Sequence, residues 1–166
     1  MKLRSVGIAV LLAAGASGAL SLVHPWGNLR SIPATGAPLK GESSLPPAVE
    51  QVIAEKCADC HSNNTRWPAY SRLAPGSWLM EHDVHEARAA LNFSNWQQMA
   101  PEEQLRLLAS VAAEVANRRM PVRQYLLLHP SARLTDAERK SVIAWTHDER
   151  RRIRSEAQQL QKKDTP

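Results

Sequence analysis

The stretch Cys57-Ala58-Asp59-Cys60-His61 constrains this chain more than any other. It holds both cysteines of the sequence, three positions apart, with a histidine directly after the second. That order is the attachment signature of a c-type haem. On a helical turn, positions i, i+3 and i+4 share one face. Two thiols so placed reach the two vinyl groups of a single porphyrin, and the adjacent imidazole comes under the iron. The polypeptide then supplies a tether and an axial ligand, while the redox chemistry belongs to the cofactor. A structural disulfide would leave His61 without a role. A thioredoxin-like pair needs a strand before it in a βαβ setting, and no β-rich run lies nearby. Structural zinc asks for four ligands, and no second cysteine pair exists.

A formal charge of +5 and a pI near 9.6 raise the question of nucleic-acid binding. The distribution of charge answers it. Residues 42–148 carry 11 Lys/Arg against 13 Asp/Glu, so the basic excess sits at the two ends. There is no glycine-rich phosphate loop, no aromatic-basic alternation and no internal repeat. Nucleic acid is excluded as a partner on those grounds.

The chain divides into four segments. Residues 1–23 read as a signal peptide or an uncleaved membrane anchor, because Lys2 and Arg4 precede Val6–Val23, an 18-residue run without a charge. Positive residues before an apolar stretch send the downstream chain across the membrane. The small residues Ala16, Gly18 and Ala19 could precede a cleavage site, but Trp26 falls where an interfacial anchor would, so the anchor is the preferred reading. The expected location is the periplasmic side of the bacterial inner membrane; cleavage would leave a soluble periplasmic protein. Residues 24–45 read as a Pro/Gly-rich linker. Residues 46–148 are the expected domain, all-α and arranged around one cofactor. Residues 149–166 read as a basic, charged helical tail.

Within the domain, Pro46-Pro47 opens a helix carrying Val49, Val52, Ile53 and Cys57 at helical spacing. Residues 62–77 read as an irregular loop, broken by Pro68, Pro75 and Gly76. A second helix is expected from Ser77 or Trp78 to Leu91, with Trp78, His82, His85 and Ala89 on one stripe. Ser94 and Gln97 read as a capping box for a short turn around Trp96. Pro101 starts a third helix that buries Leu105, Leu108, Val111, Ala112 and Val115. A loop through Met120-Pro121, Tyr125 and His129-Pro130 leads to the last helix, entered by a Thr135–Glu138 capping box.

These strings resemble a known family. Cys57-x-x-Cys60-His61-Ser62-Asn63, Trp67-Pro68-x-Tyr70-Ser71, Ala74-Pro75-x-Ser77-Trp78-Leu79 and Leu91-Asn92-Phe93-Ser94-x-Trp96 are similar to the bacterial haem-binding domain family related to c-type cytochromes. Met120-Pro121-x-x-x-Tyr125 and His129-Pro130-x-Ala132-x-Leu134-Thr135-x-x-Glu138 extend the resemblance over roughly 46–146. It implies one covalently bound haem c, an exported location and a small, cytochrome c-like helical fold. It implies no reaction. His85 departs from the pattern and adds a rival iron ligand.

Trp67 and Tyr70 combine bulk with a polar end, which suits a haem edge. Trp78 heads the stripe of the second helix. With Cys57, Cys60, His61 and Met120 they make the expected cofactor-binding set. His61 is the expected first iron ligand. Met120, 59 positions later in a Met-Pro loop, is the expected second; His82 and His85 are its rivals. A thioether ligand raises the reduction potential. The leading expectation is therefore a single-electron carrier rather than an enzyme, serving an unidentified periplasmic or membrane redox partner. A haem sensor or peroxidase-like enzyme with an open distal site is the alternative. A haem-bearing module that docks on a membrane redox complex is a third reading.

Overall fold

The computed structural model describes residues 2–34, 39 and 45–163. Among them are seven α-helices and no strand: α1 Lys2–Leu20, α2 Pro47–Lys56, α3 Ala58–His61, α4 Gly76–Ala90, α5 Pro101–Ala116, α6 Arg123–Leu128 and α7 Asp136–Lys163. Four short 3-10 turns join them, at Leu29–Ser31, Ala69–Arg72, Phe93–Gln98 and Pro130–Ala132. Part of the expected linker, at 35–38 and 40–44, lies outside the described residues.

The core forms where α5 packs along α7 and α2 closes over α7. Val49, Val52 and Ile53 of α2, Leu107, Leu108 and Val115 of α5, and Val142, Trp145 and Ile153 of α7 are all buried. Phe93 and Trp96 fill it from the intervening turn. Each such side chain contributes roughly 1.5–3 kcal/mol through removal from water. The helix register of α5 is rotated slightly from expectation: Leu107 is buried, while Leu105 and Val111 only border the core. Ile153 carries the packing one turn beyond the expected domain end, although the surrounding tail is charged.

The helix ends explain several boundaries. Thr135 and Glu138 form the expected reciprocal cap: Thr135 N–H donates to Glu138 Oε2 at 2.7 Å, and Glu138 N–H donates to Thr135 Oγ1 at 3.2 Å. The turn around Trp96 is capped differently from the expected Ser94–Gln97 box. Asn92 Oδ1 accepts from Ser94 N–H, and Ser94 Oγ accepts from Asn63 N–H, which draws Ser94 toward the loop after α3. Arg123–Leu128 is helical, in place of the expected loop.

Helix α4 starts at Gly76, one residue before expectation, and glycine is needed there. A Cβ on Gly76 would lie 2.3 Å from the carbonyl oxygen of Tyr70. Backbone cannot yield as a side-chain tip can, so Gly76→Ala is expected to cost about 1–3 kcal/mol as overpacking. Thermal unfolding checks this: the midpoint should fall by several degrees, and an unchanged midpoint would show that the contact relaxes freely.

The charge-free run Val6–Val23 extends past the helix that holds most of it, since α1 ends at Leu20. Among the described residues no helix is long and apolar enough to cross a membrane. Val6, Ile8, Val10, Leu11 and Leu12 of α1 are nevertheless exposed. From the last turn of α1 onward the chain lies against the domain. Ser17 Oγ donates to Ala74 O at 2.5 Å, Ala74 N–H donates to Ser21 Oγ at 2.8 Å, and Trp78 Nε1–H donates to Val23 O at 2.8 Å.

Candidate functional site

The helix that carries the Cys-x-x-Cys-His string is broken at its first cysteine. Cys57 has φ −121° and ψ −39°, ending α2 and capping α3. Its carbonyl still accepts from His61 N–H at 2.9 Å and Cys60 N–H at 3.2 Å, so one tight turn holds the three residues together. All three line a cavity of about 410 Å³. That volume lies within the range of small-molecule and cofactor sites.

Each wall comes from a different element. Asp83, Glu86, Ala87 and Ala90 come from α4, Val115 from the end of α5, Gln124 and Tyr125 from α6, and Leu134 from the approach to α7. Met120, Pro121 and Val122 close one side. The end of α5 explains how Met120 arrives there. Arg118 adopts a left-handed backbone, φ 56°, while Arg119 N–H and Met120 N–H both donate to Glu114 O. Such a turn takes the chain off the helix axis, and Met120 leaves α5 half-buried against the cavity.

His61 is held in a defined tautomer. Its Nδ1 lies 3.0 Å from Leu91 O, an acceptor only, so Nδ1 carries the proton and Nε2 keeps its lone pair. Phe93 meets the ring edge-on at 6.3 Å between centroids. Burial pushes the imidazole below its ordinary value, opposed by the Leu91 and Ala87 carbonyls. The ring is therefore neutral at physiological pH and able to donate a lone pair.

The two thiols are free and neutral. Burial, then the neighbouring Cys60, pushes Cys57 up to about 12. Burial, then Asp59 and Asp83, pushes Cys60 up to about 11. A dithiol redox catalyst requires the opposite shift, so this environment disfavours thiolate chemistry.

Other expected site residues are placed elsewhere. Trp67 lies under the Arg30 guanidinium, 4.5 Å from its ring centroid, and Trp78 holds Val23. Tyr70 does not line the cavity; its hydroxyl is 2.9 Å from His129 Nε2 and 3.3 Å from Met80 Sδ. His82 packs edge-on against Trp26, centroids 5.0 Å apart, and His85 is exposed. Helix α4 instead turns Ser77, Met80, Glu81 and Val84 inward and lays Asp83, Glu86, Ala87 and Ala90 along the cavity. Tyr125 is a site residue that the sequence reading missed. It lines the cavity, stacks on His129 at 4.2 Å, and is pushed up to about 12 by burial and then Asp59. Its place in the Met-Pro-x-x-x-Tyr string is the signal that could have found it.

The cavity thus brings Cys57, Cys60, His61 and Met120 together around an apolar space. Two neutral thiols, one imidazole with a free lone pair and one thioether fit the attachment and ligation of a haem. A family model described as a haem-binding domain matches residues 16–148. No curated protein and no solved structure matches the chain.

Proposed function

Since the chain belongs to the haem-binding domain family, we propose that it carries one haem, tethered through Cys57 and Cys60, and passes single electrons on the outer side of the cytoplasmic membrane. The observation that carries this reading is the shared cavity: His61 and Met120 line it together, whereas His82 and His85 do not. Haem, when bound, supplies the one-electron iron couple. The remaining work belongs to the polypeptide. His61 offers Nε2 because Leu91 O fixes Nδ1–H. Met120 offers a soft thioether, which favours the reduced metal and raises the potential. Val115, Val122, Leu134 and Tyr125 exclude water from the same space.

The N-terminal segment directs export, and its exposed apolar residues keep the protein at the membrane. Its hydrogen bonds to Ala74 and Trp78 hold it against the rest of the chain, which agrees with a domain kept close to its anchor. A membrane-bound or periplasmic redox protein is the expected partner.

Reduced membranes containing the protein test the reading with carbon monoxide. With both axial positions filled, the spectrum stays unchanged and the protein remains in the membrane fraction. A new carbon monoxide band would mean an open distal position and a sensor or peroxidase-like role. Recovery of a shortened chain in the soluble fraction would mean that the apolar segment is a cleaved signal.

A further inference from the structure

A second cavity, of about 460 Å³, lies where the segment after α1 meets α4, and Cys57, Cys60, His61 and Met120 do not line it. Its walls are polar: Ser21, His24 and Arg30 come from the N-terminal segment, Arg72 from the 3-10 turn before α4, and Ser77 and Glu81 from α4 itself. Glu81 is fully buried. Its Oε1 meets His24 Nδ1 at 2.7 Å, but Oε2 is buried with no hydrogen-bond partner. Ser77, 3% exposed, likewise has a buried hydroxyl without a partner. Buried polar atoms in native proteins are almost always satisfied. Two orphans in one cavity mark a place where hydrogen-bonding groups of something else belong.

The complementary charge lines the same cavity. Arg30 is fixed by donating to the Ser71 carbonyl and, at 2.6 Å, to Ser71 Oγ, while its guanidinium plane covers Trp67. Burial lowers its pKa, Glu81 opposes that, and the nearby Arg72 lowers it further. Two guanidinium groups that repel one another are relieved by an anion between them. An ammonium brings three donors, and Glu81 Oε2 with Ser77 Oγ are acceptors waiting for them.

We propose that this cavity binds a small zwitterion of the amino-acid type, its ammonium on Glu81 and Ser77 and its carboxylate on Arg30 and Arg72. The two charges of the ligand match the acidic and the basic groups that line the one cavity. The cavity does not suit a simple ion, because an anion meets the buried Glu81 and a cation meets the arginines. The site is built only when residues 21–31 lie against α4, so occupancy tightens the N-terminal segment onto the domain. It shares helix α4 with the haem cavity, but no residue lines both.

Isothermal titration of the whole, haem-loaded protein tests the assignment, with glycine and each common L-amino acid as separate probes up to about 10 mM, the range of weak small-ligand sites. Acetate and methylammonium serve as half-ligands. Saturable binding of at least one amino acid is expected, with neither half-ligand binding. Arg72→Ala, an exposed position, should weaken it by about tenfold or more while leaving the haem spectrum and melting midpoint unchanged. Glu81→Gln should weaken it as well. The proposal is overturned if no amino acid binds and the cavity holds only water, if acetate binds as tightly as the best amino acid, or if Arg72→Ala leaves the affinity unchanged.

Discussion

His61→Ala is expected to give exported protein with at least about tenfold less haem than wild type, the scale on which loss of ligand-holding groups acts. The substitution removes the imidazole from the cavity and leaves Leu91 O without its donor. Nothing nearby replaces it: of the other histidines, none lines the cavity. Haem content per polypeptide, measured on denatured protein, checks the result, and far-ultraviolet circular dichroism separates lost ligation from lost folding. Most of the core should survive, since Val49, Leu108, Val142 and Trp145 pack without His61. Wild-type haem content in this variant would contradict the assignment.

Met120→Ala has the second large effect. The methionine-to-iron charge-transfer band of the oxidised protein should vanish while covalent haem remains, because Cys57, Cys60 and His61 are untouched. The potential should fall on the order of a tenth of a volt, within the ~0.8 V span that axial ligands control. Loss of the thioether removes the preference for the reduced metal. The side chain is only half-buried, so folding is expected to change little. An unaltered band and potential would exclude Met120. Ligation by His82 would then require that ring to leave Trp26, and His85 would have to turn inward from an exposed face.

Much of this architecture is legible from local chemistry. The all-helical class follows from 3.6-residue apolar spacing and from prolines placed at helix starts, as at Pro47 and Pro101. The Thr135–Glu138 cap is readable because both partners lie within one turn. What escapes the sequence depends on distant partners. Ser94 is drawn away from Gln97 by Asn63, 31 positions earlier. Glu81 looks like a solvated helix residue until His24 is set against it, 57 positions away. Trp67 and Trp78 have the bulk and polar ends of haem-edge residues, yet the ring face of Trp67 is taken by Arg30 and the indole N–H of Trp78 by the Val23 carbonyl. The break at Cys57 keeps the local i, i+3, i+4 closure through its carbonyl, so the motif is readable while the bend is not. Tyr125 stays hidden because α6 is only six residues long and too short for periodicity to declare.

Covalent attachment is best tested by the intact mass of the protein produced in a host that matures c-type haem, measured after acid extraction of any loosely held cofactor. A polypeptide carrying the mass of one haem is expected, and the bare polypeptide mass when Cys57 and Cys60 are both changed to serine. A bare mass for the wild type, with all haem removed by extraction, would contradict covalent attachment.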